Sequence, residues 1–107
     1  MLNDQEILAM NSPRRLVGGP YVVVRSNDFW AVVALDYDKE PRLGIRWIDD
    51  EIGTPQSHGF PTWFIVPPDF NEMFIWELHV DVKRACAIYD FLNGRIDGET
   101  LKSLYNE

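Results

Sequence analysis

The two histidines of this 107-residue chain are the side chains best suited to acid or base chemistry, because imidazole gains and loses a proton near neutral pH. His58 lies between Ser57 and Gly59, where the sequence predicts an exposed loop. A catalytic role would need a second group that orients the ring, and the sequence identifies none. A solvated loop histidine is the alternative interpretation.

His79 stands two residues before Asp81, a spacing that places both side chains on one side of an extended strand. A His-x-Asp pair can bind a metal ion or relay a proton. Two ligands are too few to define a metal site, so the sequence predicts no metal and no cofactor.

Arg42 and Arg46 are the strongest candidates for anion recognition, because guanidinium groups bind carboxylates in a fork. They fall on one face of a predicted strand, about 13 Å apart at the rise of an extended chain. The intervening Gly44 would let a ligand or a neighbouring backbone approach, and Arg25 could share that face. The alternative is pairing with acids of the adjacent hairpin, namely Asp36, Asp38 and Glu40.

Four tryptophans, Trp30, Trp47, Trp63 and Trp76, all fall on segments with the pattern of strands. A small sheet cannot easily bury four indoles under one layer of helices, so we expect some of them at a pocket or an interface. The passage GTPQSHGFPTWFIVPPDF, residues 53 to 70, predicts a loop rim followed by a core strand. The predicted contacts with a ligand or partner are Arg42, Arg46, Trp47, His58 and Trp63.

Other reactive residues match no catalytic pattern. Cys86, the only cysteine, lies between alanines on a predicted helix, where a small buried thiol is the usual outcome. The acidic runs at 36 to 38 and 49 to 51 lack the ligand spacing of a calcium loop. No serine occupies a glycine-flanked nucleophile turn, so the sequence offers no nucleophile for a hydrolase.

The charge balance narrows the choice of partner. Seventeen acids against ten bases give a formal net charge of -7, which repels phosphate backbones and favours a basic partner. No apolar run approaches the roughly 20 residues of a membrane span, and the N-terminal residues lack the basic start of a signal peptide. We therefore expect a cytoplasmic protein that binds neither nucleic acid nor membrane.

Alternating and β-branched runs predict an antiparallel meander. The predicted strands cover residues 21 to 25, 29 to 37, 42 to 48 and 62 to 66, with a turn at Gly18-Gly19-Pro20 before the first. The strand at 29 to 37 is apolar on both faces, which predicts cover by the protein on both sides or by a partner subunit on one. Residues 49 to 59 show no periodicity and predict a surface loop.

Helices are predicted at residues 3 to 10, 82 to 93 and 97 to 105, the first with Asn3 and Glu6 as a capping box. Residues 70 to 82 fit both periodicities, and the strand pattern has more matches over 74 to 80, with Asp81 capping the next helix. The sum is a single α+β domain. Its antiparallel sheet has four or five strands, and two or three helices pack on one face.

Three segments carry a likeness to a known group of proteins: PRLGIRWI at 41 to 48, GFPTWFIVP at 59 to 67 and FLNGRIDGETLK at 91 to 102. Together they resemble small uncharacterised proteins encoded on integron gene cassettes. The resemblance implies a short, cytosolic, often oligomeric bacterial protein. It implies no catalytic residue.

These features favour a non-catalytic binding module, expected to be a homodimer, that holds a protein partner or a small molecule with aromatic and arginine side chains. An immunity- or antitoxin-like inhibitor is the most concrete protein-binding form, because acidic proteins often neutralise basic ones. The alternative is a small enzyme that uses His58, or His79 with Asp81, together with Arg42 and Arg46.

Overall fold

The computed structural model describes residues 2–48 and 53–107 and has an α+β fold. Its main sheet is antiparallel, with four strands in the order β1-β2-β3-β6. A separate hairpin, formed by β4 and β5, precedes β6. The strands are β1 (Val17–Ser26), β2 (Trp30–Tyr37), β3 (Glu40–Trp47), β4 (Gln56–Ser57), β5 (Phe60–Pro61) and β6 (Phe64–Ile65). The predicted fold class is therefore confirmed.

The predicted hairpin between β2 and β3 is confirmed, and it closes with two residues. Asp38 and Lys39 both have positive φ, 51° and 68°, so they occupy the left-handed conformation that a two-residue hairpin turn needs. The strands then pair without interruption from Tyr37 opposite Glu40 to Trp30 opposite Trp47. This register decides which side chains of β2 and β3 share a face.

The described residues contain four α-helices: α1 (Asp4–Leu8), α2 (Asn71–Glu77), α3 (Val82–Leu92) and α4 (Gly98–Tyr105). A short 3-10 helix, Pro68–Phe70, precedes α2. Asn3 and Glu6 form the predicted capping box of α1. Asp81 accepts a hydrogen bond from the backbone of Arg84 and so caps α3, as predicted.

The strand predicted for residues 74 to 80 is wrong, because these residues form most of α2 and the turn after it. As a helix, the segment places Ile75 in the core with Phe74 and Leu78 packed beside it, while Trp76 is 79% exposed. His79, with a φ of 54°, occupies the left-handed conformation in the turn that follows α2. His79 and Asp81 are therefore not neighbours on a strand.

Both faces of β2 are covered by the chain itself. Val32 and Ala34 pack with α3 and α4, in the larger core that contains Ile88, Phe91 and Leu101. The opposite side chains of β2 form a second core with Ile7 of α1 and with Trp63, through the residues Ala31, Val33 and Leu35. Helices α2, α3 and α4 thus lie on one side of the sheet, called here the helix face, and α1 lies on the other.

The N-terminal edge strand departs from the sequence prediction in two ways. Gly18-Gly19-Pro20 belongs to β1 and is not a turn before it. The pairing of β1 with β2 also shifts between Val23 and Arg25, as in a β-bulge. The shift puts Arg25 on the helix face, where its guanidinium donates to the carbonyl oxygens of Leu78 and His79. Arg25 therefore does not share a face with Arg42 and Arg46.

The segment from 49 to 59, predicted as a surface loop, is partly regular. Residues 49–52 lie outside the described residues, and so does the acidic run at 49 to 51. From Gln56 the chain pairs with itself, and His58 and Gly59 form the two-residue turn between β4 and β5. The predicted strand at 62 to 66 is reduced to the two residues of β6.

Candidate functional site

An apolar groove lies between the helix face of the sheet and α2. Its volume is about 550 Å³, within the range typical of small-molecule sites. The sheet contributes five apolar side chains to the groove, and α2 with the residue after it contributes three: Trp30, Val32, Ile45, Trp47 and Phe64, then Met73, Phe74 and Leu78. Arg46 and Glu77 complete the lining.

Strand register explains why the groove is lined by apolar side chains. Trp30 pairs with Trp47, Val32 pairs with Ile45, and Ile45 pairs in turn with Phe64 on β6. Residues directly opposite in an antiparallel sheet point to the same side, with Cβ atoms about 5 Å apart. The three strands thus present one continuous apolar surface toward α2.

The mouth of the groove is unusually apolar for a protein surface. Trp47 is 54% exposed, Phe64 is 51% exposed and Met73 is 60% exposed. Soluble proteins rarely expose a cluster of large apolar side chains, and such a cluster commonly marks a site that binds a ligand or a partner. The floor of the groove is less exposed than its mouth, because Val32 is buried and Ile45 packs against the core.

Arg46 reaches this groove only through its backbone. Its side chain lies on the opposite face of β3, since its cross-strand partner is Ala31 of the second core. There the residue is 1% exposed, and its Nη1 atom donates to the carbonyl oxygens of Pro55, at 3.0 Å, and Thr62. The guanidinium also lies over the Trp63 ring, 5.8 Å from its centre.

Burial lowers the pKa of Arg46 from its usual value, but an arginine remains charged in a folded protein. Carbonyl groups of the segment that runs through β4 and β5 accept hydrogen bonds from this buried guanidinium. Arg46 therefore links that segment to the sheet.

Trp63 is also buried, with its indole Nε1 donating to the carbonyl oxygen of Met10 at 2.7 Å. Its Cβ and the Leu35 side chain fill the space beside Gly44, where an added Cβ would lie 3.1 and 2.9 Å from them. Gly44 thus accommodates the core of the protein itself. Arg42, next on this face, donates to the carbonyl oxygen of its neighbour Pro41 at 2.8 Å.

The structure does not bring the predicted site residues together. Arg46 and Trp63 are in contact under one face of the sheet, and Trp47 lines the groove on the other face. His58 is exposed at the tip of the β4-β5 hairpin, and neither it nor Arg42 lines the groove. That these five residues contact a ligand stays a prediction, and of their side chains only that of Trp47 lines the groove.

The metal and proton-relay interpretations gain no support from the geometry. Within residues 2–48 and 53–107, no three side chains of histidine, cysteine, aspartate or glutamate are grouped so that they could hold a metal ion. His79 is exposed at the end of α2, and Asp81 is engaged as the cap of α3.

Most of the groove residues were not singled out from the sequence. Trp30 and Val32 are two residues apart on one strand, and Ile45 and Trp47 are two apart on the next. This spacing indicates one apolar face on each strand. The other wall was missed because α2 was predicted as a strand. Phe74, Glu77 and Met73 become neighbours only at helical spacing.

Comparison of this chain with models of protein families, with curated proteins and with solved structures found no match. In the part of the chain that the structure describes, no helix is long and apolar enough to cross a membrane.

Proposed function

We propose that this protein is a non-catalytic binding module whose ligand is a small, mostly apolar molecule held in the groove. The observation that carries the proposal is the combination of volume and lining: about 550 Å³ lined by four aromatic and four aliphatic or thioether side chains. Pockets that bind small molecules are typically concave, apolar and supplied with few polar groups.

The size of the hydrophobic effect makes such binding plausible without further polar contacts. An aromatic ring system buries about 150–250 Å², which corresponds to about 4–6 kcal/mol at 25 cal/mol per Å². Association costs several kcal/mol for lost translational and rotational freedom. Two ring systems contribute about 8–12 kcal/mol, and an association cost of at least about 4 kcal/mol leaves about 4–8 kcal/mol. A ligand with two rings is therefore expected to bind with a dissociation constant between millimolar and micromolar.

The alternative of a small enzyme has weaker support. It would require His58, or His79 with Asp81, to converge with Arg42 and Arg46 in one cleft. Arg46 is buried on the face away from the groove, His58 is at a hairpin tip and Asp81 caps a helix. The groove itself is lined by side chains without nucleophilic or basic groups, apart from Glu77.

Replacement of Trp47 by alanine tests this function directly. A titration with the neutral fluorescent probe N-phenyl-1-naphthylamine should show saturable binding to the unaltered protein. Trp47→Ala is expected to weaken it about tenfold or more, because the substitution removes one wall of the site. Trp76→Ala is the matched control, since Trp76 is a still more exposed indole that does not line the groove.

The control variant should keep the affinity of the unaltered protein. Equal loss in both variants would indicate nonspecific association with exposed indoles, and absence of saturable binding would remove the proposal. Circular dichroism should show that both variants retain the fold.

The remaining expectations from the sequence stay predictions. These are the homodimer, the immunity- or antitoxin-like role, the cytoplasmic location, the lack of a nucleic-acid partner and the resemblance to integron cassette proteins. The net charge of -7 supports a basic partner over an acidic one, and it likewise favours a cationic ligand over an anionic one.

A further inference from the structure

We propose that the ligand of the groove is an organic cation, with an apolar body between the aromatic rings and a positively charged nitrogen beside Glu77. This inference rests on the proposed function and adds the chemical class of the ligand. Four features of the described residues support it: the position of Glu77, the direction of Arg46, the aromatic lining and the charge of the whole chain.

Glu77 places a carboxylate at the wall formed by α2. It is the last residue of that helix, four positions after Met73 and three after Phe74, and all three line the groove. Residues at these spacings are neighbours on one side of a helix. Glu77 is an exposed residue, so a cation can approach it from solvent.

No described side chain neutralises this carboxylate. Among residues 2–48 and 53–107, no basic group forms an ion pair with Glu77 within 4.0 Å. Arg25 lies near the same end of α2, but its guanidinium donates to the carbonyl oxygens of Leu78 and His79. The last turn of α2 contains no basic residue of its own.

An acidic side chain at the end of a helix is also electrostatically unfavourable, because helix C-termini carry partial negative charge. Arg25 already donates to the carbonyl oxygens that follow the helix, so a bound cation at this position would offset the Glu77 carboxylate.

The positive charge of Arg46 does not oppose a cation in the groove. Its guanidinium is directed to the other face of β3 and bound to carbonyl oxygens there, so the groove meets only its backbone. Glu77 is therefore the one charged side chain that the described lining presents to a ligand.

The aromatic lining favours the same chemistry. Trp30, Trp47, Phe64 and Phe74 surround the groove, and the faces of aromatic rings attract cations, tryptophan most strongly. The net charge of -7 adds a long-range field that raises the local concentration of cations and repels anions. An apolar ligand with a protonated amine can pack against the aromatic rings and form an ion pair with the Glu77 carboxylate at the same time.

Three compounds with one apolar body provide the test: 4-phenylbutylamine, 4-phenylbutanol and 4-phenylbutyrate, each measured by displacement of N-phenyl-1-naphthylamine at pH 7. We expect the amine to bind about three- to tenfold more tightly than the alcohol, from one exposed ion pair and cation–π contact. We expect the carboxylate to bind more weakly than the alcohol. The preference for the amine should decrease as salt is added.

Glu77→Gln should remove most of the preference for the amine over the alcohol, measured as the ratio of their two affinities in the same variant. Glu72→Gln is the matched control, because it lies on the same helix, is exposed, removes the same charge and does not line the groove. It should keep the preference.

The outcomes separate the two proposals. Binding of the alcohol with no preference for the amine, or a preference that persists in Glu77→Gln, overturns the organic cation and leaves the binding function in place. Equal loss of preference in both variants assigns the effect to net charge and overturns the role of Glu77. Failure of all three compounds and of the probe to bind overturns the proposed function.

Discussion

Replacement of Arg46 by alanine is expected to lower the free energy of unfolding by about 3 to 5 kcal/mol, the largest effect on stability predicted for this protein. The side chain is 1% exposed and fills the space between β3 and the segment through β4 and β5. Its removal leaves a cavity and deprives the carbonyl groups of Pro55 and Thr62 of a charged donor. Both losses act on the same contact between the sheet and that segment.

Urea unfolding followed by circular dichroism measures this effect. Arg42→Ala is the matched control, because Arg42 lies on the same strand and face but bonds only to the adjacent carbonyl of Pro41 among the hydrogen bonds described. It should cost less than about 1 kcal/mol, as for most surface substitutions. Arg46→Met, which restores length without the donors, is expected to recover part of the loss by filling the cavity.

An Arg46→Ala variant no less stable than Arg42→Ala would contradict the buried position of this guanidinium. It would instead support the sequence-based interpretation of both arginines as candidates for anion recognition.

Gly98→Ala is expected to destabilise the protein by about 2 to 3 kcal/mol, although alanine is the better helix former. Gly98 is the first residue of α4, and an added Cβ would lie 2.1 to 2.4 Å from three ring atoms of Tyr21. The Tyr21 ring cannot move away without a loss of its own contacts. The ring also makes an edge-on contact with Phe91, and its hydroxyl donates to Asp36 Oδ2 at 2.7 Å.

The pKa of Tyr21 supports this picture of a constrained ring. Burial raises it, and the hydrogen bond to Asp36 raises it further, so the phenol stays protonated in the folded protein. Because the folded pKa is the higher one, the associated stabilisation is present below the unfolded value near 10 and is lost at more alkaline pH.

Thermal unfolding provides the measurement for Gly98→Ala, with Glu99→Ala as the control in the same helical turn. Glu99 is exposed, and its replacement should cost less than about 1 kcal/mol. A Gly98→Ala variant as stable as the unaltered protein would show that α4 and β1 can move apart without loss of packing.

The core of the sheet could be predicted because its signals are local. The apolar, β-branched run of β2 and the alternation in β3 identify the strands, and the polar residues between them identify the turn. The apolar character of both faces of β2 predicts cover by the protein on both sides or by a partner subunit on one, and in the structure α1 covers one side and α3 with α4 the other. The caps of α1 and α3 follow from Asn3 and Asp81, whose side chains act within three residues.

The site could not be predicted because its signals are nonlocal. The seven residues of α2 contain too few turns for periodicity to decide between helix and strand, and packing of Ile75 into the core decides it. The shift in pairing at Val23 to Arg25 has no sequence signature, yet it moves Arg25 to the other face. Alternation alone also placed Arg46 beside Arg42 as a candidate for anion recognition, whereas the segment through β4 and β5 buries it.

The most direct measurement of the central claim is methyl NMR of the unaltered protein during titration with 4-phenylbutanol, a neutral ligand that leaves the question of charge aside. The groove contains methyl groups of Val32, Ile45, Met73 and Leu78, and Ile7 on the opposite face of the sheet serves as reference. We predict saturable shifts at the groove methyls with little change at Ile7. Shifts that do not saturate, or that are largest at Ile7, would contradict the assignment of the groove as the ligand site.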